Sequence, residues 1–583
     1  MADDYDAIVI GSGFGGAVTA QRLAFAHKSV LILERGDWWH RSNYRGLERL
    51  GDPMAYRHAD GSTKRFDGKK YFEQAFDPRY VYSLFEDFVS ERTFLGDVAA
   101  VGGASVVYSN VSERAPRRIF RGGRWPTYTD AQGQEHSWNY EYLSSLYDIV
   151  EGANGHPYQI YTHIPTIEVP RHRILKYALE RVYGPGVFSL ARVAVRNSVG
   201  DVFNGQIIGE EVIGACRNCG FCNFGCVFGA QQNLTMNYLA RAQMAGAEIW
   251  PNKQVTRLAY DPVARHWTVI YRESETGVFI EGVRGVGSES SVTARVVVLA
   301  AGTMGTPRIL LHSDLPGLSP HVGHHLSGNG DAVSGLLLPP IGTWTIDGLT
   351  SVDGYKGRVI SGITREMAET EGWVMEDLWA PPVSIGGKIL VRPHDPAWAE
   401  EGHLEDVGGP NPLYVVTRWK NPSFYGIRQK RLLDEYHLRA LAVAFIGEDG
   451  CDGRVWLDGE RVRISLPTQT HAQDYDRAIK AIAAHLPEGT RLLATGDADP
   501  QRVFTSVHPL GTCRMARWPG RDPSDDGGVV DGNGQVFSTT GAFENLFIAD
   551  GSIIPCATIV NPSWTIAAVA EHIARYIVTH VSF

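Results

Sequence analysis

Cysteine, excess basic charge and long apolar runs are all scarce in this chain of 583 residues. Seven cysteines are too few for a secreted scaffold of this length that is held together by disulfides. Acidic residues outnumber lysine and arginine by 65 to 55, and the net charge of −10 argues against a nucleic-acid partner, which would require a basic patch. No run of about 18 apolar residues occurs, so we expect no membrane-spanning helix and no membrane partner.

The N-terminal residues give an expectation about location. They enter an apolar, strand-like run at Tyr5–Ile10 (YDAIVI) without the basic stretch, apolar segment and cleavage site of a signal peptide. A cytoplasmic location is therefore expected. The composition, 43% hydrophobic and 21% charged, is that of an ordinary globular protein. The length predicts two or more domains, because one core rarely grows beyond about 250–300 residues.

A glycine-rich motif follows the first predicted strand directly. Residues 11–16 read GSGFGG, residues 17–25 have helical spacing, and residues 29–33 (SVLIL) return as a second strand that ends at Glu34. Strand, glycine-rich turn, helix, strand and acidic residue form the βαβ fingerprint of dinucleotide-binding proteins. The sequence therefore predicts a bound dinucleotide, although the fingerprint alone does not separate NAD from FAD.

Each glycine of the fingerprint has its own task. Gly11 permits the tight turn, Gly13 lets the backbone approach a pyrophosphate, and Gly16 lets helix and strand pack closely. The pyrophosphate charge is stabilised at the helix N-terminus, and Glu34 can accept a hydrogen bond from an adenosine ribose hydroxyl. The alternative is a glycine-rich turn that binds nothing, which leaves Glu34 unexplained.

Four of the seven cysteines are crowded together, at Cys216, Cys219, Cys222 and Cys226. Their C-x2-C-x2-C-x3-C spacing is that of bacterial ferredoxin ligands, without the proline that usually follows. It predicts a single 4Fe–4S cluster held by all four, with a three-cysteine 3Fe–4S cluster as the variant. Structural zinc usually draws its ligands from separated segments, and disulfides disagree with a cytoplasmic location. A plain cysteine-rich loop is the remaining alternative.

Three blocks near the C-terminus complete the pattern: residues 506–515 (SVHPLGTCRM), 546–555 (LFIADGSIIP) and 560–571 (VNPSWTIAAVAE). Together with GSGFGG, they resemble the glucose–methanol–choline (GMC) family of flavin-dependent alcohol oxidoreductases, in its cysteine-rich, cholesterol-oxidase-like branch. The resemblance covers both termini and several internal blocks, about half of the chain. It implies FAD as the cofactor. The implied fold is α/β (α+β overall), with a Rossmann-like FAD-binding domain and a second, antiparallel-sheet substrate domain.

The resemblance also implies that both domains are discontinuous. The FAD-binding domain is expected to comprise residues 1–48, 95–115, 212–312 and 500–583, and to carry the cysteine run. The substrate-binding domain is expected to comprise residues 49–94, 116–211 and 313–499. Within the last segment, strand-like runs such as residues 413–419 (LYVVTRW) alternate with Gly, Pro and Asp turns, which favours an antiparallel sheet.

Further cofactor contacts follow from the resemblance alone. In residues 101–111 (VGGASVVYSNV) the family contacts the flavin through backbone and short polar side chains, although Ala104 replaces a frequent glycine. Another position matches a backbone contact to adenine, and Asp550 matches an acid near the ribityl chain and pyrophosphate. The implied positions are Gly102, Gly103, Ser105, Asn110, Val255, Asp550 and Pro562. A purely structural role is the alternative at these positions; Asp550, for example, could simply close a turn.

Oxidising an alcohol removes the hydroxyl proton and a hydride from the same carbon. The flavin takes the hydride, and the proton needs a base that works near neutral pH, such as histidine. The resemblance assigns His508, in HPLGT, as this base. It assigns Asn561, in VNPS, as the amide that hydrogen-bonds the substrate oxygen, held rigidly because Pro562 starts a helix behind it. The alternative for His508 is an ordinary histidine in a turn.

These features predict FAD-dependent oxidation of a small-molecule alcohol to an aldehyde or ketone, with electrons leaving through the cluster to an external acceptor. The chain is similar to bacterial enzymes that oxidise a primary hydroxyl of an aminoglycoside, which favours a sugar, polyol or aminoglycoside. Acidic groups in VMEDLW and FIGEDGCDG could meet a polyamine. Four tryptophans could stack on sugar faces or fill the core: Trp344, Trp373, Trp379 and Trp564.

Three other functions remain open from the sequence. One is a sterol or long-chain alcohol oxidase that uses O2. The second is a flavin/iron–sulfur electron-transfer protein without substrate chemistry of its own. The third is a flavoprotein with a light-driven or other non-alcohol reaction, which would not need His508 and Asn561 together.

Overall fold

The computed structural model describes residues 3–36, 38, 55–57, 63–65, 85–90, 93–157, 159–196, 215–220, 222–224, 226, 229–273, 288–354, 356–379, 437–459, 461–494, 504–522, 524–539 and 541–583. Every predicted site residue lies within these ranges. The strand-like run at residues 413–419 lies outside them. None of the described helices is long and apolar enough to span a bilayer.

Strands in the described part of the chain fall into several sheets. In chain order they are β1 (Tyr5–Ile10), β2 (Val30–Leu33), β3 (Ala55–Arg57), β4 (Thr63–Arg65), β5 (Phe85–Ser90), β6 (Thr93–Val98), β7 (Thr127–Thr129), β8 (Glu135–Ser137), β9 (Ser189–Leu190), β10 (Glu248–Trp250), β11 (Lys253–Asp261), β12 (His266–Glu273), β13 (Glu289–Leu299), β14 (His324–Leu326), β15 (Ala332–Leu337), β16 (Ile360–Ile363), β17 (Trp373–Leu378), β18 (Ala440–Gly447), β19 (Gly453–Asp458), β20 (Arg461–Ser465), β21 (Arg491–Ala494), β22 (Phe504–Ser506), β23 (Gln535–Ser538) and β24 (Gly541–Ile548).

The α-helices of the described residues are α1 (Phe14–Phe25), α2 (Tyr140–Glu151), α3 (Pro170–Tyr183), α4 (Tyr238–Met244), α5 (Gly302–His312), α6 (Met367–Thr370), α7 (Ala472–Ala484) and α8 (Ser563–His580). Helix α1 begins at Phe14, three residues before the helical spacing becomes visible in the sequence, because the last glycines of the fingerprint form its first turn.

The first large sheet contains the parallel array β10–β2–β1–β13–β24. Strand β2 is buried along its whole length, and so are the last four residues of β1, as expected for strands covered on both faces. The long strand β13 has two partners on one side, since its first half pairs antiparallel with β12 and its second half lies between β1 and β24. Helix α1 packs against α4 and α8. This is the Rossmann-like arrangement predicted from the fingerprint.

The second large sheet is antiparallel throughout, in the order β21–β15–β18–β17–β16–β9. Helices α3 and α7 pack against it. The predicted fold class, a Rossmann-like FAD-binding part with an antiparallel-sheet part, is therefore confirmed. The residue boundaries proposed for the two domains stay a prediction.

The four tryptophans considered as sugar platforms are all buried in the protein interior. Trp373 packs in the core of the second sheet together with Phe445 and Tyr475, and Trp564, in the first turn of α8, is fully buried in the core. Of the two readings for these side chains, the structure supports core packing.

Candidate active site

His508 and Asn561, 53 residues apart in the chain, lie side by side. The Nδ2 group of Asn561 donates to Nε2 of His508 at 3.4 Å. Asn561 is buried and His508 keeps 18% of its side chain exposed, so the pair lines a site that solvent reaches. Oδ1 of Asn561 has no hydrogen-bond partner among the described residues. The structure thus brings together the two residues that the resemblance assigns to the chemistry.

A carboxylate lies on the other side of the His508 ring. Oδ1 of Asp331 accepts from Nδ1 of His508 at 2.8 Å, and its Oδ2 accepts from the backbone N–H of Val507 at 2.9 Å. The hydroxyl of Ser506 lies 3.3 Å from the same Oδ2. Asp331, which sequence reasoning missed, therefore holds three consecutive residues of the turn that carries His508.

The segment before Asn561 is held by Asn329, from the same short loop as Asp331. Oδ1 of Asn329 accepts from the backbone N–H of Thr558 at 2.8 Å and of Ile559 at 3.1 Å, and its Nδ2 donates to the carbonyl of Val560 at 2.9 Å. Residues 327–331 (SGNGD), here called the SGNGD loop, thus hold the His508 segment and the Asn561 segment in one place.

Asp449 in turn anchors the SGNGD loop. Its Oδ2 accepts from the backbone N–H of Gly328 at 2.7 Å and of Gly330 at 3.3 Å. Burial raises the pKa of this carboxyl, and its hydrogen bonds act in the opposite direction. One of the acidic groups in FIGEDGCDG, Asp449, is therefore a support of the SGNGD loop.

Glu376, from the middle of β17, is a fully buried carboxyl beside Asn561. Burial raises its pKa well above the ordinary value, and the nearby carboxyls of Glu113, Asp377 and Asp331 raise it further; a contact with Asn561 acts weakly against them. Neither Glu376 oxygen makes a well-formed hydrogen bond to another described residue. A buried carboxyl that favours its neutral form therefore lies next to the Asn561 amide.

The fingerprint glycines have the spatial constraints expected of a dinucleotide site. A Cβ on Gly11 would lie 2.2 Å from the carbonyl oxygen of Ala300, and a Cβ on Gly16 would lie 2.0 Å from the oxygen of Gly11. A Cβ on Gly13 would meet no described protein atom within 4 Å. Packing thus requires Gly11 and Gly16, whereas Gly13 borders open space at the start of α1, which fits a pyrophosphate there.

Glu34 joins the fingerprint to the second glycine-rich segment. Its Oε2 accepts from the backbone N–H of Ser12 at 3.0 Å and from the Ser12 hydroxyl at 2.6 Å, and its Oε1 accepts from Gly36 at 2.8 Å. The Ser12 hydroxyl also accepts from the N–H of Gly102 at 3.0 Å. Burial raises the pKa of Glu34. The carboxyl organises the turn, in addition to the ribose contact that the sequence predicts.

The second glycine-rich segment lies directly on the fingerprint. A Cβ on Gly103 would lie 2.7 Å from Cα of Gly13. Ser105 donates to the carbonyl of Gly102 at 2.6 Å and accepts from Leu234 at 3.0 Å, so it has a structural role in this segment. Asn110 differs, because neither atom of its fully buried amide has a hydrogen-bond partner among the described residues. Since such amides are normally paired, this one fits a residue that contacts a cofactor.

The remaining predicted cofactor residues are Val255, Asp550 and Pro562. Val255 is buried in β11, two residues after Lys253, whose backbone N–H donates to the carbonyl of Glu34 at 2.8 Å. Asp550 accepts from the backbone of Ser552 at 2.8 Å and Gly302 at 2.9 Å, and burial raises its pKa. Asp550 therefore closes a turn, which is the structural role that the sequence left open for it. Pro562 is the N-cap of α8, one position earlier than a first helical residue.

Two contacts connect the nucleotide-binding turn with the catalytic pair. Phe14, in the fingerprint, packs edge-on against Trp564, three residues after Asn561, with ring centroids 6.4 Å apart. The hydroxyl of Thr303, at the start of α5, donates to the carbonyl of Pro509 at 2.6 Å. The catalytic turn is therefore fixed to the Rossmann-like part, as a hydride transfer to bound flavin requires.

All seven cysteines lie within the described residues and none forms a disulfide. Burial, together with the nearby thiols of Cys216, Cys226 and Cys219, raises the pKa of the Cys222 thiol to about 12. Among the described residues, no group of three or more His, Cys, Asp or Glu could hold a metal ion. The four cysteines share one region, but the structure does not support the predicted cluster, which stays a prediction.

Comparison with known proteins decides the family. Residues 5–329 match the N-terminal model of the GMC oxidoreductases, and residues 460–570 match the C-terminal one. The chain belongs to the GMC oxidoreductase family. It is an oxidoreductase that acts on CH–OH groups, and FAD is the cofactor expected for the family.

Relatives of this GMC oxidoreductase place it in the cholesterol-oxidase-like branch. It is 25% identical to a long-chain-alcohol oxidase of Arabidopsis thaliana, over 98% of this chain and 67% of that protein. It is 25% identical to a cholesterol oxidase of Mycobacterium tuberculosis, over 98% and 91%, and 24% identical to one of Acinetobacter baumannii, over 98% and 94%. Its fold matches a crystal structure of pyridoxine 4-oxidase from Mesorbium loti with a TM-score of 0.61 and 16% identity, over 99% of this chain and 100% of that chain.

Proposed function

We propose that the protein oxidises an alcohol by removing a proton and a hydride from it separately. His508 is the base that takes the proton, and Asn561 is the group that binds the substrate oxygen. The observation that carries this proposal is the 3.4 Å contact between Nε2 of His508 and Nδ2 of Asn561. An alcohol oxygen placed between these groups gives its proton to the imidazole and is held by the amide as negative charge develops. Bound FAD would accept the hydride.

For the substrate, we propose a primary hydroxyl of a sugar, a polyol or an aminoglycoside. Support comes from the acidic surroundings of the catalytic pair, where Asp331, Glu376 and Asp449 are all buried. Glu376 in particular is a buried carboxyl without a cationic partner in the described residues. A substrate ammonium group beside it would stabilise its ionised form, since a buried charge requires an opposite charge nearby.

The comparisons support a second substrate class. Several relatives are named cholesterol oxidases or long-chain-alcohol oxidases, so a sterol or long-chain alcohol, with O2 as the acceptor, is the competing proposal. Sugars, polyols and aminoglycosides differ in charge and polarity from sterols and long-chain alcohols, so a test of substrates from both classes separates the two proposals.

The deciding experiment is anaerobic reduction of the purified flavoprotein by a panel of sterols, fatty alcohols, sugars, polyols and aminoglycosides. The loss of flavin absorbance measures the reduction. We expect aminoglycosides or sugars to bleach the flavin, and bleaching by sterols alone would contradict the substrate proposal. The variant His508→Ala should reduce the flavin at least about 10²-fold more slowly, because it removes the base. His156→Gln, at an exposed histidine, is the matched control. Unchanged reduction in His508→Ala would show that His508 is not the base, and a flavin that no alcohol of the panel reduces would favour an electron-transfer protein.

We also propose that electrons leave through an iron–sulfur cluster held by Cys216, Cys219, Cys222 and Cys226. Two of these sulfurs accept backbone hydrogen bonds of the kind that tune cluster thiolates, from Asn218 to Cys216 at 3.4 Å and from Ala230 to Cys226 at 3.3 Å. The four sulfurs would have to be drawn to a common centre to hold the cluster.

The cysteine region contacts the segment that leads to Asn110. The hydroxyl of Ser109 donates to the side chain of Asn223 at 3.5 Å, next to Cys222, and Gln231 donates to the carbonyl oxygens of both Tyr108 and Cys222. A cluster here would therefore lie beside the proposed flavin site. Iron and acid-labile sulfide analysis of protein purified without air, with electron paramagnetic resonance after reduction, tests this. Protein that contains flavin but no iron or sulfide would contradict it.

A further inference from the structure

We propose that Asp331 is a positioning residue that fixes the protonation site of His508, so that Nε2 of the imidazole is always available as the base. The inference rests on the proposed function of His508. Asp331 lies in the SGNGD loop, 177 residues before His508, and its Oδ1 is 2.8 Å from Nδ1 of the imidazole.

Both oxygens of Asp331 are used on the catalytic turn. While Oδ1 accepts from His508, Oδ2 accepts from the N–H of Val507 at 2.9 Å. The turn itself is closed by the hydroxyl of Ser506, which accepts from the N–H of His508 at 3.1 Å and donates to the carbonyl of Gly328 at 2.8 Å. The Asp331 side chain is also buried, so water competes little for these bonds. The imidazole can neither rotate nor flip without losing the bond between its Nδ1 and Oδ1 of Asp331.

These contacts determine which ring nitrogen carries the proton. An ionised carboxylate only accepts hydrogen bonds, so Nδ1 of His508 must be the donor toward Asp331. On the opposite side, the Nδ2 group of Asn561 can only donate, so Nε2 must be the acceptor. Both neighbours therefore select the tautomer with the proton on Nδ1 and the lone pair on Nε2.

The selected tautomer matters for the reaction. The alcohol O–H bond breaks and its proton moves to Nε2, while the C–H bond breaks and the hydride, with both electrons, leaves for the flavin. The carbon product is an aldehyde or ketone, and the imidazole becomes a cation. Asp331 lies beside that cation and stabilises it, in the way an aspartate supports the histidine of a serine-protease triad. The other tautomer has a hydrogen on Nε2 and cannot accept the proton.

The test compares Asp331→Asn with wild type, using anaerobic stopped-flow reduction of the flavin by the best alcohol of the panel. The amide can donate to Nδ1 and thereby move the imidazole proton to Nε2. We expect the limiting rate of flavin reduction to fall about 10²–10⁴-fold, with substrate affinity changed less than about threefold. Asp331→Glu should restore part of the rate because it returns a carboxylate. Asp474→Asn is the matched control, since it changes another aspartate that binds a histidine, His471, at 2.8 Å.

A second measurement does not depend on turnover. In protein labelled with ¹⁵N-histidine, the His508 signals, identified by their loss in His508→Gln, report which nitrogen carries hydrogen. We expect the Nδ1–H form in wild type and the Nε2–H form in Asp331→Asn. An unchanged tautomer together with a reduction rate within threefold of wild type would overturn the proposal. A slow variant that keeps the wild-type tautomer would also overturn it, because Asp331 would then act only on the fold.

Failure of the proposed function has a different signature. In that case no alcohol reduces the wild-type flavin, or His508→Ala reduces it as fast as wild type does. The tautomer measurement still decides what Asp331 does to His508, because it uses the resting holoprotein.

Discussion

Asn329 holds Ile559 in a left-handed backbone conformation. Ile559 has φ of 67°, which a β-branched residue rarely adopts, and Oδ1 of Asn329 accepts from its N–H at 3.1 Å. The same side chain binds the residue before Ile559 and the residue after it. This strained turn comes two residues before Asn561, so the direction of the catalytic amide depends on one buried asparagine in the SGNGD loop.

Replacing Asn329 by alanine should therefore harm both stability and catalysis. Two buried N–H groups lose their partner and the Val560 carbonyl keeps only the Thr558 hydroxyl, at a cost of about 3 kcal/mol in the free energy of unfolding. We also expect flavin reduction to slow at least about tenfold, because Asn561 is no longer held in place. Thermal unfolding of the holoprotein and stopped-flow reduction measure the two effects.

Asn329→Asp is the informative comparison, because it keeps the acceptor toward Thr558 and Ile559 but cannot donate to Val560. Its stability and its rate of flavin reduction should lie between those of wild type and of Asn329→Ala. If both variants reduce the flavin at the wild-type rate, the SGNGD loop does not position the amide.

Two glycines of the fingerprint offer a matched pair of variants. A methyl group on Gly13 would meet no described protein atom within 4 Å, whereas one on Gly16 would lie 2.0 Å from the oxygen of Gly11. Gly13→Ala should therefore leave the apoprotein as stable as wild type but weaken FAD binding at least about tenfold, since the methyl group takes the space of the pyrophosphate. Gly16→Ala should lower the unfolding temperature of the apoprotein itself.

Equilibrium FAD titration and thermal unfolding of the apoproteins separate these outcomes. Wild-type FAD affinity in Gly13→Ala would show that the pyrophosphate does not lie at this turn.

Local sequence patterns predicted much of the nucleotide-binding part. The order strand, glycine turn, helix and strand is set by short-range periodicity and by the backbone demands of glycine, and β1, α1 and β2 follow it closely. The C-terminal motifs likewise identified His508 and Asn561, which the structure brings into contact.

The residues that hold His508 and Asn561 in place were not predictable in the same way. Asn329 and Asp331 lie in a stretch that shows only turn-forming residues, and their partners in the His508 and Asn561 segments are 175 or more residues away. Glu376 falls in a buried strand, where its surroundings come from other segments of the chain. Such long-range pairings leave no period in a single sequence, so only the folded structure reveals them.

The buried Glu376 carboxyl predicts a pH dependence of stability. Its pKa is raised well above 4.5 in the folded protein, so the folded state binds a proton that the unfolded chain has already released. Its neutral form therefore favours folding below the ordinary carboxyl pKa, and stability should fall as the pH rises through the window above 4.5. One such proton contributes a slope of at most about 1.4 kcal/mol per pH unit.

Glu376→Gln removes the titration, so its thermal midpoint should fall less between pH 5 and pH 8 than that of wild type. Glu488→Gln, at an exposed glutamate, is the control and should follow the wild-type curve. Parallel curves for Glu376→Gln and wild type would mean that this carboxyl does not titrate with folding.

Arg171 and Asp377 form an ion pair without solvent exposure next to Glu376. Nε of Arg171 donates to Oδ2 of Asp377 at 2.9 Å, and Oδ1 accepts from the N–H groups of Ser361 and Gly362. Burial lowers the pKa of Arg171, and the carboxylate acts against this. A buried pair gains little net stability, yet removing one partner leaves a charge without compensation.

Arg171→Met should therefore cost about 3–5 kcal/mol, whereas Arg171→Met combined with Asp377→Asn should cost clearly less, because the remaining amide is neutral and can still accept from the backbone. Hydrogen exchange of the β17 and β18 amides measures this locally, which avoids treating so large a protein as one cooperative unit. A double variant no more stable than the single one would show that packing of the arginine, and not the isolated carboxylate, dominates the loss. In that case the same measurement on Arg171→Lys should also give a large loss, since a lysine keeps the charge but cannot reproduce the planar contacts to Asp377 and Ser361.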